Sequence, residues 1–131
     1  GYKRHYTNLQ AVLCMAQLKK LPAMNRRRRK IRDKYNKAFG YDNTSLYLYR
    51  IYVENRDEFI KKMANKNITC GVHFKPLHTF KAYKGWPVLG DKELVEKAYR
   101  YTVSLPFFDT MTREEVDEVI GAVEEIGGIM G

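Results

Sequence analysis

Acidic residues are nearly absent from the part of this chain where cations crowd. Residues 1–40 hold one acid, Asp33, against twelve lysines and arginines, whereas residues 41–131 hold fourteen acids and twelve such cations, so the net charge of +9 belongs to the first third. No run approaches the eighteen or more apolar residues of a membrane helix, and residues 3–8, KRHYTN, do not read as a secretory signal. The reading is a soluble, cytoplasmic chain with no membrane partner. There are only two cysteines, Cys14 and Cys70, far apart and without a second pair. That excludes a disulfide framework and a four-ligand zinc site, and both are expected to be buried small hydrophobes. Also missing are a nucleophile beside a base, a recognisable carboxylate pair and a glycine-rich phosphate loop. Ser104 precedes Leu-Pro, not the glycine of a nucleophile elbow, which argues against a hydrolase.

What is present suffices for one core. The 131 residues are 44% hydrophobic and 13% aromatic, with no linker, repeat or low-complexity block, so they form a single domain. From Asn8 to Leu21 the apolar residues Leu9, Val12, Leu13 and Ala16 follow one helical series, and Cys14, Leu18 and Leu21 a second. Thr7 is the expected N-cap. Apolar residues thus wrap most of this helix, which suggests cover from another domain or chain. Pro22 is expected to end or kink it, and a second helix to run from Met24 to Phe39, closed by Gly40.

Beyond residue 40 the pattern alternates. LYLYRIYV (Leu46 to Val53) and ITCGVHF (Ile68 to Phe74) read as strands, Gly71 allowing a bulge or close backbone approach, with a helix from Asn55 or Arg56 to Asn67 between them. Phe59, Ile60 and Met63 face inward on that helix. Lys75 to Gly90 reads as loop and carries the single tryptophan, Trp86. Asp91 caps a helix to Tyr101 with Leu94, Val95 and Ala98 inward, and Thr102 to Leu105 forms a short strand stopped by Pro106. Thr112 opens the last helix through a capping box with Glu115, and Val116, Val119, Ile120, Val123 and Ile126 form its core stripe. The expected class is α+β: a small antiparallel or mixed sheet of about three strands with helices on one face.

Three constellations bear chemistry. The run Arg26 to Lys30 is a candidate phosphate or nucleic-acid patch, or a solvated helix face; five consecutive helical residues cannot all face one ligand. Lys3, Arg4 and His5 precede a helix start, where N–H groups favour anions. His73 and His78 lack companions at metal-ligand spacing, so no metal site is read from them.

Three motifs then fall in a familiar order. GYKRHYTNLQAVLCMAQLKKL resembles the stretch that links the two domains of DegT/DnrJ/StrS-type sugar-nucleotide aminotransferases, with Gly1, Tyr2, Thr7, Gln10, Ala11, Gln17, Leu18 and Leu21 matching. GVHFKPLH (Gly71 to His78) resembles the family's Val-His-Tyr-x-Pro-Leu-His, and VSLPFF (Val103 to Phe108) its Ser-Leu-Pro segment. The resemblance implies the C-terminal small domain of a fold type I, pyridoxal-phosphate-dependent enzyme. Residues 1–40 would be two helices linking to a large cofactor domain, and residues 41–131 the small domain.

It also implies site roles. The position of Lys3 contributes to the cofactor phosphate of a neighbouring subunit, and that of His5 approaches the same active site, so Lys3 and His5 are the cofactor-binding candidates. Lysine and histidine replace the family's asparagine and arginine there, and His5 is a poor substitute for a bidentate guanidinium. The positions of His73 and Phe74 reach into the partner's substrate site, and Lys75 and His78 are carried with them as substrate-binding candidates. Phe74 lacks the usual tyrosine hydroxyl. No catalytic residue is assigned: the Schiff-base lysine lies upstream of the first motif in the family, so the chain alone is expected to bind no cofactor and to be inactive. The implied partners are an N-terminal large domain, a second copy in a homodimer and a nucleotide sugar, but no nucleic acid. The implied reaction moves an amino group, with glutamate the expected donor, onto a nucleotide-linked keto sugar for polysaccharide or deoxyamino-sugar synthesis. Alternatives from the residues alone are a small basic nucleic-acid-binding module, its tyrosines stacking on bases, or a catalytically dead assembly domain.

Overall fold

Thr7 begins the first helix by a reciprocal pair of bonds. Its backbone N–H donates to Gln10 Oε1 at 2.9 Å and the Gln10 N–H donates to Thr7 Oγ1 at 3.3 Å. The helix, α1, runs Asn8–Phe39 and ends at Gly40, whose φ of 70° is the left-handed geometry that glycine adopts without strain. The computed structural model describes residues 7–87 and 89–130.

Pro22 does not divide this element; the two expected helices are one. Proline removes one backbone donor, and the residues around it are exposed, so the freed carbonyl stays in water and the cost is not compounded by burial. Strong helix formers on both sides carry the helix through.

The remaining elements are β1 (Tyr49–Tyr52), α2 (Arg56–Asn65), α3 (Lys92–Tyr101), β2 (Thr102–Leu105) and α4 (Arg113–Ile126). Strands β1 and β2 pair antiparallel, with Tyr49 opposite Leu105 and Ile51 opposite Val103. Those four side chains share one face, and onto it pack Ile31 and Tyr35 of α1, Phe59 and Met63 of α2, and Val116, Val119 and Val123 of α4. Burying a side chain such as Met63 or Val123 contributes roughly 1.5–3 kcal/mol. Tyr35 and Tyr49 meet edge to face at 4.9 Å. The Tyr35 hydroxyl donates to the Pro106 carbonyl at 3.1 Å and the Tyr49 hydroxyl to Asn36 Oδ1 at 2.9 Å. Burial raises both phenols, that of Tyr49 to about 12, so they stay neutral donors.

The sheet is smaller than expected: two strands among the described residues, not about three. Ile68 to Phe74 forms no strand; it touches the sheet only at Gly71, through two backbone bonds with Ser104 at 2.9 and 2.8 Å. The His73 ring folds back over Gly71. Strand β1 is also shorter than Leu46 to Val53: Ser45 Oγ accepts from the N–H groups of Tyr47 and Leu48, and the backbone bends there. Val53 retains one isolated bridge to Ile129. Two expectations of burial also fail. Leu94, Val95 and Ala98 are exposed, since α3 lies off the sheet's core face. Cys14 is exposed on the uncovered half of α1, while Cys70 is half-buried.

Helix α4 follows the sequence closely, with the Thr112–Glu115 capping box formed and Val116, Val119 and Val123 buried; Ile120 and Ile126 are partly covered. Among the described residues no helix is long and apolar enough to cross a membrane.

Candidate functional site

The face of the sheet opposite the helical core carries Thr102 and Ser104, opposite Tyr52 and Arg50 in the ladder. Both are buried. Thr102 Oγ1 is occupied by the Ala98 carbonyl at 2.6 Å, whereas Ser104 Oγ lies 2.9 Å from His73 Nδ1. The close approach foreseen at Gly71 is what brings the imidazole there: a Cβ on Gly71 would sit 2.6 Å from His73 Cε1. His73 thus leaves the edge of β2 at a fixed angle, and the peptide linking it to Phe74 is cis.

Beyond it the chain runs outward. Phe74 is 71% exposed and meets the His73 ring edge to face at 4.9 Å. Lys75 Nζ hovers 5.4 Å from the centre of the Phe80 ring. Pro76 is buried and anchors two 3₁₀ turns, Leu77–Thr79 and Lys81–Tyr83, in what reads as loop. His78 is tied to a different element: its Nε2 lies 2.9 Å from Glu96 Oε1 on α3. That bond, with Lys92 nearby, holds the Glu96 carboxyl below the usual carboxylate range. His73 and His78 therefore serve separate anchors, β2 and α3, and the segment between them presents Phe74 and Lys75 to solvent. Lys3 and His5 lie outside the described residues.

The basic run divides as the helix turns. Arg28 faces inward, 3.7 Å from Asp109 and donating to the Leu46 carbonyl at 3.4 Å. Arg27, Lys30 and Lys34 line an open groove of about 920 Å³ against Met111, Arg113 and Val116. Among the described residues no three or more His, Cys, Asp or Glu side chains gather as a metal site.

Sequence reasoning missed two members of this region. Ser104 was weighed only as a nucleophile, although its place in the Ser-Leu-Pro segment was noted, and Glu96 carried no signal, because its pairing with His78 spans 18 positions between separate elements.

A model of the DegT/DnrJ/EryC1/StrS aminotransferase family matches residues 1–124. An uncharacterized protein of Methanocaldococcus jannaschii is 32% identical over 147 aligned positions, covering 96% of this chain and 38% of that protein. A Streptococcus pneumoniae protein assigned as a sugar aminotransferase is 29% identical at a TM-score of 0.79, covering 93% of this chain and 35% of its own. It has also been solved in pyridoxal-phosphate and pyridoxamine-phosphate forms. The aminotransferase TlmJ of Streptoalloteichus hindustanus shares the fold at a TM-score of 0.82 and 24% identity, over 95% of this chain and 37% of its own. The chain thus spans less than two fifths of the length of these relatives.

Pyridoxal phosphate does not fit the described residues by themselves. A lysine that carries it must be desolvated enough to lose its proton, and the buried polar residues here are Thr102 and Ser104, with no lysine among them.

Proposed function

The chain belongs to the DegT/DnrJ/EryC1/StrS aminotransferase family, and from that premise we propose that it is the small domain of a two-domain, pyridoxal-phosphate-dependent enzyme. That enzyme transfers an amino group from glutamate to a nucleotide-linked keto sugar. The family match over residues 1–124 carries the reading. The cofactor supplies the electron-sink chemistry when bound to the whole enzyme, and it is held by residues outside this chain together with Lys3 and His5.

The segment from His73 to His78 is the substrate-facing part of this domain. Phe74 offers an exposed ring for apolar or stacking contact, Lys75 a cation for phosphate, and His73 a polar nitrogen beside them. His78, tied to Glu96, fixes the far end of the segment. The exposed apolar residues of the first half of α1, Leu9, Val12, Leu13, Met15 and Leu18, are 57–71% exposed. Such surfaces mark interfaces, which fits cover by the large domain or by a second subunit.

The experiment is amino transfer in the complete enzyme, with ¹⁵N-glutamate offered against a panel of nucleotide-linked keto sugars and products read by mass. Label appearing on a sugar carbon is expected. Labelling only of simple keto acids, with every sugar untouched, would contradict the substrate class.

A further inference from the structure

The geometry points to Ser104 as a positioning residue that fixes His73 in one tautomer, with the proton on Nε2, so that the histidine presents an N–H donor to an acceptor oxygen of the ligand. The inference deepens the substrate role proposed for His73 and rests on it only for the identity of the acceptor. Its first support is hydrogen-bond bookkeeping at a buried site. Ser104 is 3% exposed, and its backbone N–H and C=O are both taken by Gly71. Among the described residues, the one partner of its hydroxyl is His73 Nδ1 at 2.9 Å.

A serine hydroxyl has one hydrogen, and a neutral imidazole has one donor and one acceptor nitrogen. Were Nδ1 the donor, the serine hydrogen would be left buried with nothing to bond, at the cost of a desolvated donor. The hydroxyl therefore donates to Nδ1, and the imidazole proton sits on Nε2. That nitrogen has no hydrogen-bond partner among the described residues and is not among their buried unpaired atoms.

Two further features keep the ring in place. Gly71 leaves room for it, since a Cβ would come within 2.6 Å of Cε1. Phe74 closes the other direction with an edge-to-face contact. The unit is thus a buried hydroxyl, a glycine that makes space and a histidine with one defined outward donor.

The test is a long-range ¹H–¹⁵N correlation spectrum of this chain at about pH 8, above the usual histidine range, with His73 assigned by loss of its signals in His73→Asn. Expected are an acceptor-type Nδ1 and a protonated Nε2. Ser104→Ala should lower the Nε2–H to Nδ1–H ratio about fivefold, the factor one ordinary hydrogen bond carries, whereas Ser104→Thr, which keeps the hydroxyl, should hold it. Retained dispersion of the β1 and β2 amide signals shows that the variant is folded. A proton on Nδ1 in the unaltered chain, or a ratio in folded Ser104→Ala that does not move, overturns the inference. Since this readout needs no substrate, turnover of the complete enzyme that ignores His73→Asn would sink the substrate role and leave the tautomer assignment standing.

Discussion

Burial pushes the Cys70 thiol up to about 11 from its ordinary 9.0, which makes it a poor nucleophile at neutral pH. In a Cys14→Ser background, Cys70 should react with a disulfide reagent at pH 8 far more slowly in the native chain than in denaturant; equal rates in the two would contradict its partly buried placement. The linkage runs the same way: a raised thiol contributes stability that is complete below about pH 9 and is lost as pH rises toward 11. Glu96 has the opposite sign. Its carboxyl is held low chiefly by His78, so what the pair contributes is present above the ordinary 4.5 and is lost as pH falls through the lowered value. Glu96 should titrate by carboxyl ¹³C shift below the ordinary glutamate value of 4.5, and His78→Ala should erase most of that difference. Single residues were legible where a motif named them, as with the close approach at Gly71, the Thr7 N-cap and the Thr112–Glu115 capping box. The Ser104–His73 bond was not, because it joins positions 31 apart across a segment that only the tertiary fold brings to β2.

At the scale of elements, helix α1 carries a proline inside thirty-two continuous residues. Replacing Pro22 with Ala restores a backbone donor and removes the ring clash, worth up to about 3 kcal/mol locally. Hydrogen exchange at residues 8–21 should slow in that variant, with little change at the core strands. The cap of α4 gives a second test: Thr112→Ala should cost ~1 kcal/mol in denaturant unfolding, and a change near zero would mean that the capping box contributes nothing to the fold. Caps and periodic apolar stripes made α4 and strand β2 readable almost to the residue. Ile68 to Phe74 was misread because β-branched composition says what fits a sheet, not whether a neighbour is free to pair. The inward stripe of α3 failed for a related reason: periodicity marks an apolar face and leaves open what covers it. In this chain Leu94 and Val95 stay uncovered.

For the molecule as a whole, the one core lies between the β1–β2 ribbon and α1, α2 and α4, while the first half of α1 and the segment after His73 extend beyond it. The chain should therefore self-associate at micromolar concentration, and Leu13→Gln with Leu18→Gln should return it to a monomer in sedimentation without loss of helix; an unaltered chain that sediments as a monomer would show that this surface needs no partner. The α+β class and the apolar excess on α1 were readable from periodicity alone. What covers that excess was not, since no residue of this chain states what lies against it. The most direct measurement of the central claim uses the complete reading frame that carries residues 1–131. It is loaded with pyridoxal phosphate, reduced with borohydride and mapped by peptide mass, beside this chain treated alone. The account predicts reduced cofactor fixed stoichiometrically on one lysine outside residues 1–131 and none fixed stoichiometrically on the isolated chain. A stoichiometric adduct on a lysine within residues 1–131 would contradict it, as would a complete protein that fixes no cofactor.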